Sequence, residues 1–169
     1  MDWLMDLTRA LPALWKVLFF AMLPIFELRG AIPFALFVEK MAWPEAYLIS
    51  VLGNAIPVIP LLLFLEPAEK YLGRWRPFRR FFDWLFARTR KRGKLVDRFK
   101  VLGLVLFVGI PLPVTGAWTG CAAAYIFGVE KKKALPAILF GILLAGIVVT
   151  LACKGVLTAG GLFRDFRNH

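Results

Sequence analysis

The sequence predicts an all-α polytopic membrane protein: two inverted repeats, each a re-entrant helical hairpin followed by a transmembrane helix, with a basic amphipathic interfacial helix between them. Three observations predict it. The chain is 60 % hydrophobic without counting glycine, whereas soluble domains average about 45–50 % with glycine included, and its mean hydropathy is +0.70. The apolar residues gather in four long blocks of two different kinds. The basic residues gather beside those blocks rather than across the whole chain. With 169 residues, the chain is long enough for one membrane domain, 1–169, and too short for two ordinary ones.

Two of the blocks, 43–65 and 134–157, are continuous. A helix rising about 1.5 Å per residue reaches roughly 35 Å over such a length, enough to cross a hydrocarbon core of about 30 Å. Pro44 suits the first turn of the earlier helix, and Pro57 and Pro60 should kink it near its end. The other two blocks, 11–38 and 101–129, are broken. Pro24, Gly30 and Pro33 interrupt the first, with Glu27 and Arg29 between them. Pro111, Pro113 and five glycines interrupt the second. Two half-helices joined by a tight turn accommodate such residues better than one long helix does.

Charge gives a separate reason for re-entrant hairpins. Twelve of the 22 Lys and Arg residues lie in the segment 66–100, and Lys131, Lys132 and Lys133 follow the second broken block. Four full spans would put those three lysines opposite the basic segment, against the tendency of basic residues to stay cytoplasmic. A re-entrant second hairpin brings both groups to one side. The expected setting is the inner cell membrane, with 66–100 cytoplasmic and the termini outside. Within 66–100, Phe78, Phe81, Phe82, Leu85 and Phe86 repeat at helical spacing. Arg76, Arg79, Arg80 and Arg88 take the remaining surface, so the helix is expected to lie along anionic headgroups with its phenylalanines in the acyl boundary.

Several classes of function fall away. The net charge of +11 comes without any nucleic-acid-binding motif. His169, the sole histidine, ends the chain, which leaves no histidine-based triad or His-rich metal site. No phosphate-cradling P-loop is present, Cys121 and Cys153 lack ligand spacing, and no cleavable signal is evident. No enzyme activity, cofactor or metal is expected. The partners expected are membrane lipids and a small-molecule or lipid substrate, with a homodimer left open.

The two halves can be superimposed. Pairing Gly30-Ala31-Ile32-Pro33 with Gly116-Ala117-Trp118-Thr119 gives an offset of 86, and Gly53 and Gly141 then fall within two residues of each other. One full span follows the first hairpin, so the second half must enter from the opposite face. Broken helices from inverted halves meet near the midplane in many secondary transporters.

Residues able to bind a substrate or ion lie where those tips should meet. Glu27 and Arg29 carry charge at membrane depth, where each costs about 2.5–3.5 kcal/mol on insertion scales. Residues i and i+2 of a regular helix point apart; at a turn the two could pair or share an aqueous pocket. Glu27 is read as a proton- or cation-carrying carboxylate, or else as half of a structural ion pair. Opposite it, Pro111, Pro113, Thr115, Gly116, Trp118 and Thr119 offer hydroxyls, an indole N–H and the free N–H groups of a helix start. Gly116, Gly120 and Ala124 also form a small-residue stripe suited to close packing. Asn54 is the lone amide of the first span, suited to interhelical bonding or to a ligand.

Glu27-Leu28-Arg29-Gly30-Ala31-Ile32-Pro33 and Ile110-Pro111-Leu112-Pro113-Val114-Thr115-Gly116-Ala117-Trp118-Thr119-Gly120 resemble the small multidrug export protein family over essentially the whole chain. The resemblance implies a small secondary exporter of drugs or other small molecules, and the lone midplane carboxylate suggests proton coupling through Glu27. A more distant similarity is to the DedA family, proposed to move phosphate-bearing lipids with two re-entrant hairpins. Glu27 and Pro33 match the acid-to-proline spacing of its first hairpin, and Pro111 matches a proline of its second. No second carboxylate follows Pro33, and Thr115 stands where that family has an arginine. A lipid flippase or scramblase is therefore the alternative within transport. A non-transporting scaffold, which has no use for midplane charges, is the alternative outside it.

Overall fold

The computed structural model describes residues 12–72, 74–111 and 115–167, with the side chains of all but 92, 95 and 157–167. The elements are α1 (Ala13–Met22), α2 (Glu27–Pro33), α3 (Trp43–Ala55), α4 (Val58–Leu72), α5 (Arg76–Arg92), α6 (Lys94–Gly109), α7 (Ala117–Ile126) and α8 (Lys131–Arg167). A π-helical turn, Phe34–Val38, continues α2 directly after Pro33, where proline supplies no N–H to the regular ladder. Among the described residues the fold is entirely helical. Two stretches are long and apolar enough to cross a membrane: Trp43–Leu72, of 30 residues, and Lys131–Val156, of 26. The expected kink in the first is a break at Ile56–Pro57, between α3 and α4.

Both broken blocks are pairs of short helices. Lys16 and Glu39, near the start of α1 and beyond the end of α2, form a half-buried ion pair at 3.1 Å. Lys100 Nζ donates to the Phe127 carbonyl at 3.2 Å, tying α6 to the end of α7. Lys100 is also where α6 breaks, at φ 45° and ψ −107°, so the apolar run of the second block starts at the kink.

Contacts at the two ends of the molecule relate the pieces. Lys154 lies over the Trp43 ring at 4.7 Å, which puts the start of α3 beside the later part of α8. At the other end Tyr125 Oη donates to Glu69 Oε2 at 3.5 Å, and Glu66 and Lys131 line one groove. Lys131–Lys133 and the basic segment therefore share an end. The core between is apolar, with Val17, Ile32, Val58, Leu104, Val108, Ile138 and Ile142 almost wholly buried. Glycines let its helices touch. A Cβ on Gly53 would come 2.6 Å from the Leu18 carbonyl of α1, and one on Gly141 would come 2.7 Å from Val108 Cβ of α6. Gly53 of α3 thus receives α1, and Gly141 of α8 receives α6.

Two expectations need correction. The turn of the first hairpin is Leu23–Phe26, so Glu27 and Arg29 stand at the start of α2 rather than within a turn. Gly30 and Pro33 lie inside α2, with Gly30 pressed against Phe26, whose Cβ would be 2.8 Å from an added Cβ. Nor does the apolar face of α5 rest wholly on lipid. Leu85 is 1 % and Phe82 7 % exposed, packed with Leu65 of α4 and Ala122 of α7; Phe78 is 42 % exposed. The physical reason is competition: the small side chains of α7 let α5 close onto protein, which buries more apolar surface than a shallow seat in the interface. Leu85→Ala should therefore cost about 2–5 kcal/mol, the range for a buried leucine. Phe78→Ala should cost well under half of that, as read by thermal unfolding in detergent.

Candidate functional site

The tips of the two hairpins meet, and the junction is built around one carboxylate. Glu27 is the first residue of α2, 9 % exposed, at φ +45°. A residue with a Cβ holds that left-handed conformation at a cost of about 1–3 kcal/mol. From there its Oε1 accepts the backbone N–H of Trp118 at 3.1 Å, in the first turn of α7. The first N–H groups of a helix have no partner within it and carry its partial positive charge. Glu27 supplies the missing acceptor and the complementary sign. Gly116, which caps α7, is glycine for a steric reason: any Cβ there would overlap the Glu27 carboxylate.

Four further bonds close the junction. Trp118 Nε1 donates to the Met22 carbonyl at 2.9 Å, satisfying an acceptor at the end of α1. Arg29 Nη2 donates to Thr115 Oγ1 at 3.2 Å, and Thr115 Oγ1 donates to the Ile110 carbonyl at 2.9 Å. Thr119 Oγ1 accepts the Gly116 N–H at 2.9 Å and lies 3.2 Å from the Gly116 carbonyl, so its hydroxyl caps its own helix. Glu27 and Arg29 make no direct ion pair. They are two positions apart on a helix and each bonds the opposite hairpin.

Not every expected residue is at this junction. Glu27, Arg29, Thr115, Gly116, Trp118 and Thr119 are brought together. Asn54, 2 % exposed, lines a cavity of about 10 Å³ with Glu27, Arg29, Pro111, Thr115 and Gly116. Gly30 and Pro33 belong to helix packing instead, and Pro113 lies outside the described residues. Among the described residues no cluster of three His, Cys, Asp or Glu side chains could hold a metal.

One contributor was misread. Arg88 of α5, assigned above to the lipid-facing surface, lines a cleft of about 30 Å³ with Glu27, Arg29, Trp84, Trp118 and Thr119. Its guanidinium lies over the Trp84 ring at 4.7 Å, and its buried Nε has no hydrogen-bond partner. Arg88 is three residues beyond Leu85 and seven beyond Phe81, so helical spacing puts it on the inward stripe. The α5 helix joins the junction again through Phe81, edge-on to Trp118 with centroids 6.1 Å apart. A larger apolar groove of about 680 Å³ runs from Pro24 and Trp118 along Pro57, Pro60, Phe64 and Phe78.

Gly116→Ala should force the carboxylate off α7 and lower stability by about 1–3 kcal/mol, the usual cost of overpacking. Gly155→Ala, where an added Cβ meets nothing within 4 Å, should be neutral or slightly stabilising in the same thermal unfolding measurement.

The family model described as "Putative small multi-drug export protein" matches residues 27–148, from the first residue of α2 into α8. The matched stretch contains Glu27 and Arg29, all of α5, and the opposing tip. No curated protein and no solved structure matches the chain. With the family match covering well over half of its length, and two helices able to cross a membrane, the chain belongs to the small multi-drug export protein family.

Proposed function

We propose that the protein is a secondary transporter that exports amphiphilic small molecules by alternating access, coupled to protons at Glu27. The observation that carries this is the Glu27 carboxylate seated on the N-terminus of α7, between the cavity beside Asn54 and the cleft beside Arg88. An ionised carboxylate holds the two hairpin tips together. Protonation removes the charge that attracts the helix end and so loosens the junction. The groove of about 680 Å³ falls in the size range of small-molecule sites, about 300–1,000 Å³. It ends at Trp118 and Pro24, which also line the charged cleft. A substrate would lay its apolar body in the groove and turn its polar head toward Glu27, Arg29 and Arg88.

The hairpins are re-entrant in this reading and enter from opposite faces as inverted repeats. Lys16–Glu39 and Lys100–Phe127 close the mouth of each hairpin. The equivalence of the halves finds support in Arg29 and Thr115, which are 86 positions apart, the offset that superimposes the repeats. Residues related by a two-fold axis meet where that axis passes between them. The basic segment, at the end shared with Lys131, faces the cytoplasm and its anionic lipids.

A second reading, flipping of phosphate-bearing lipids, is favoured by the paired guanidiniums of Arg29 and Arg88, since arginine matches phosphate oxygens bidentately. Proteoliposome assays with a fluorescent amphiphilic dye and with a labelled anionic phospholipid separate the two.

Glu27→Gln should abolish dye transport driven by a pH gradient, per folded molecule, because the amide fills the space without titrating. Arg29→Lys should retain more activity than Arg29→Ala. Full activity in Glu27→Gln would leave the carboxylate as architecture alone.

Topology is checked separately. In a background free of native cysteine, Arg90→Cys and Lys131→Cys should both label from the cytoplasmic side. Labelling from opposite sides would reject re-entrant entry in favour of four plain spans.

A further inference from the structure

Three buried polar side chains lie on the facing surfaces of α3 and α8, outside the hairpin junction. Ser50 is 0 %, Asn54 2 % and Thr150 4 % exposed, and Ser50 Oγ, Asn54 Oδ1 and Thr150 Oγ1 have no hydrogen-bond partner in the protein. An unsatisfied polar atom in an apolar interior is costly, and lipid offers it no relief. A hydroxyl on a helix has a ready remedy, the carbonyl four residues back. Thr89 takes it, donating to the Leu85 carbonyl at 2.7 Å. Ser50 and Thr150 do not.

The three form a line. Ser50 and Asn54 are one helical turn apart on one face of α3. Gly146 of α8 packs there, where an added Cβ would be 2.8 Å from the Tyr47 ring and 3.0 Å from Val51. Thr150 is one turn beyond Gly146, toward Lys154 and its contact with Trp43. At the inner end, Asn54 shares its cavity of about 10 Å³ with Glu27. That is room for about one water, which needs roughly 10–15 Å³ and two or more polar partners.

We infer that Ser50, Asn54 and Thr150 hold a file of water molecules between α3 and α8 that carries protons to Glu27 from the end of the protein marked by Trp43 and Lys154. The inference rests on the proposal that Glu27 titrates in transport, and adds the route. That end is the one away from the basic segment. A proton entering there passes along the water file by successive exchange of O–H bonds and ends on a Glu27 oxygen, turning the carboxylate into a neutral acid. The site is then reached from one side by protons and from the cleft beside Arg88 by substrate. The charged and titratable groups around it are few. Arg29 lies on its own helix, Arg88 on α5, and Cys121 on α7 donates to the Val58 carbonyl at 3.9 Å. Among the described residues of α8, Ala145 and Val149 border the cavity. Along the file, Tyr47 Oη donates to the Leu143 carbonyl at 3.3 Å, and Lys154 covers Trp43 at the mouth.

The test follows protonation directly, without a substrate. The full chain in lipid nanodiscs is subjected to a pH jump, and the infrared band of a protonated carboxyl is recorded in time. Absence of that band from Glu27→Gln assigns it. Asn54→Leu and Thr150→Val should slow its appearance at least tenfold. Thr150→Ser, which keeps the hydroxyl, should restore the rate, and Leu52→Ala on the lipid-facing surface should not alter it. In oriented proteoliposomes, acid should act faster from the Trp43 side than from the basic side. Equal rates in all variants, with the band still due to Glu27, would overturn the water file and leave proton coupling standing. A wild-type protein in which the band appears at no pH would overturn both.

Discussion

A carboxylate and a helix end that cannot be left alone in lipid satisfy each other at the centre of this protein. An ionised Glu27 needs donors around its charge, and α7 has N–H groups with no intrahelical acceptor. Their bond, 3.1 Å from Trp118 N to Oε1, sets much of what surrounds it. Gly116 must lack a side chain because the carboxylate fills that space. Trp118 must turn its indole toward Met22, where it satisfies the end of α1. One residue of the second hairpin thereby holds both helices of the first.

The charge balance around that bond is uneven. One carboxylate faces two guanidiniums, and all three border one cleft. Arg29 is tied to Thr115, whereas Arg88 arrives on α5, held by the burial of Leu85 and Phe82. Removing one member of a buried charged set typically costs about 3–5 kcal/mol, since the remainder is left uncompensated. A bound group carrying negative charge would restore the balance without that loss.

Much of this was legible in the sequence because lipid narrows the choices. The apolar lengths of 43–65 and 134–157, the proline break near Pro57, and the clustering of Glu27 with Arg29 near Thr115 and Trp118 all follow from residue type and spacing. The turn of the first hairpin could not be placed from residue type alone. Pro24 and Pro33 are equally good breakers on paper, and only the π-helical turn after Pro33 shows how the chain absorbs the second one without stopping. The role of Arg88 was hidden for another reason. Its spacing from Phe81 and Leu85 marks the inward stripe, but arginine in a run of arginines reads as surface. What decided the matter was the small-residue face of α7, which draws α5 onto protein, and no local pattern in 76–92 reveals that.

The two tips also divide their labour in a way that identical halves could not. The first contributes side-chain charge, Glu27 and Arg29; the second contributes the Trp118 backbone N–H and the Thr115 hydroxyl. If both tips carried a carboxylate they would repel across the junction, and if both offered only N–H groups neither would be satisfied. That difference between the tips is what lets them close on each other. The cost of closure is concentrated at Glu27, whose φ of +45° is a conformation that residues with a Cβ seldom adopt. The same residue therefore holds the junction shut through its carboxylate and bears backbone strain there. In the transport cycle proposed above, a proton on Glu27 would remove the attraction and leave the strain.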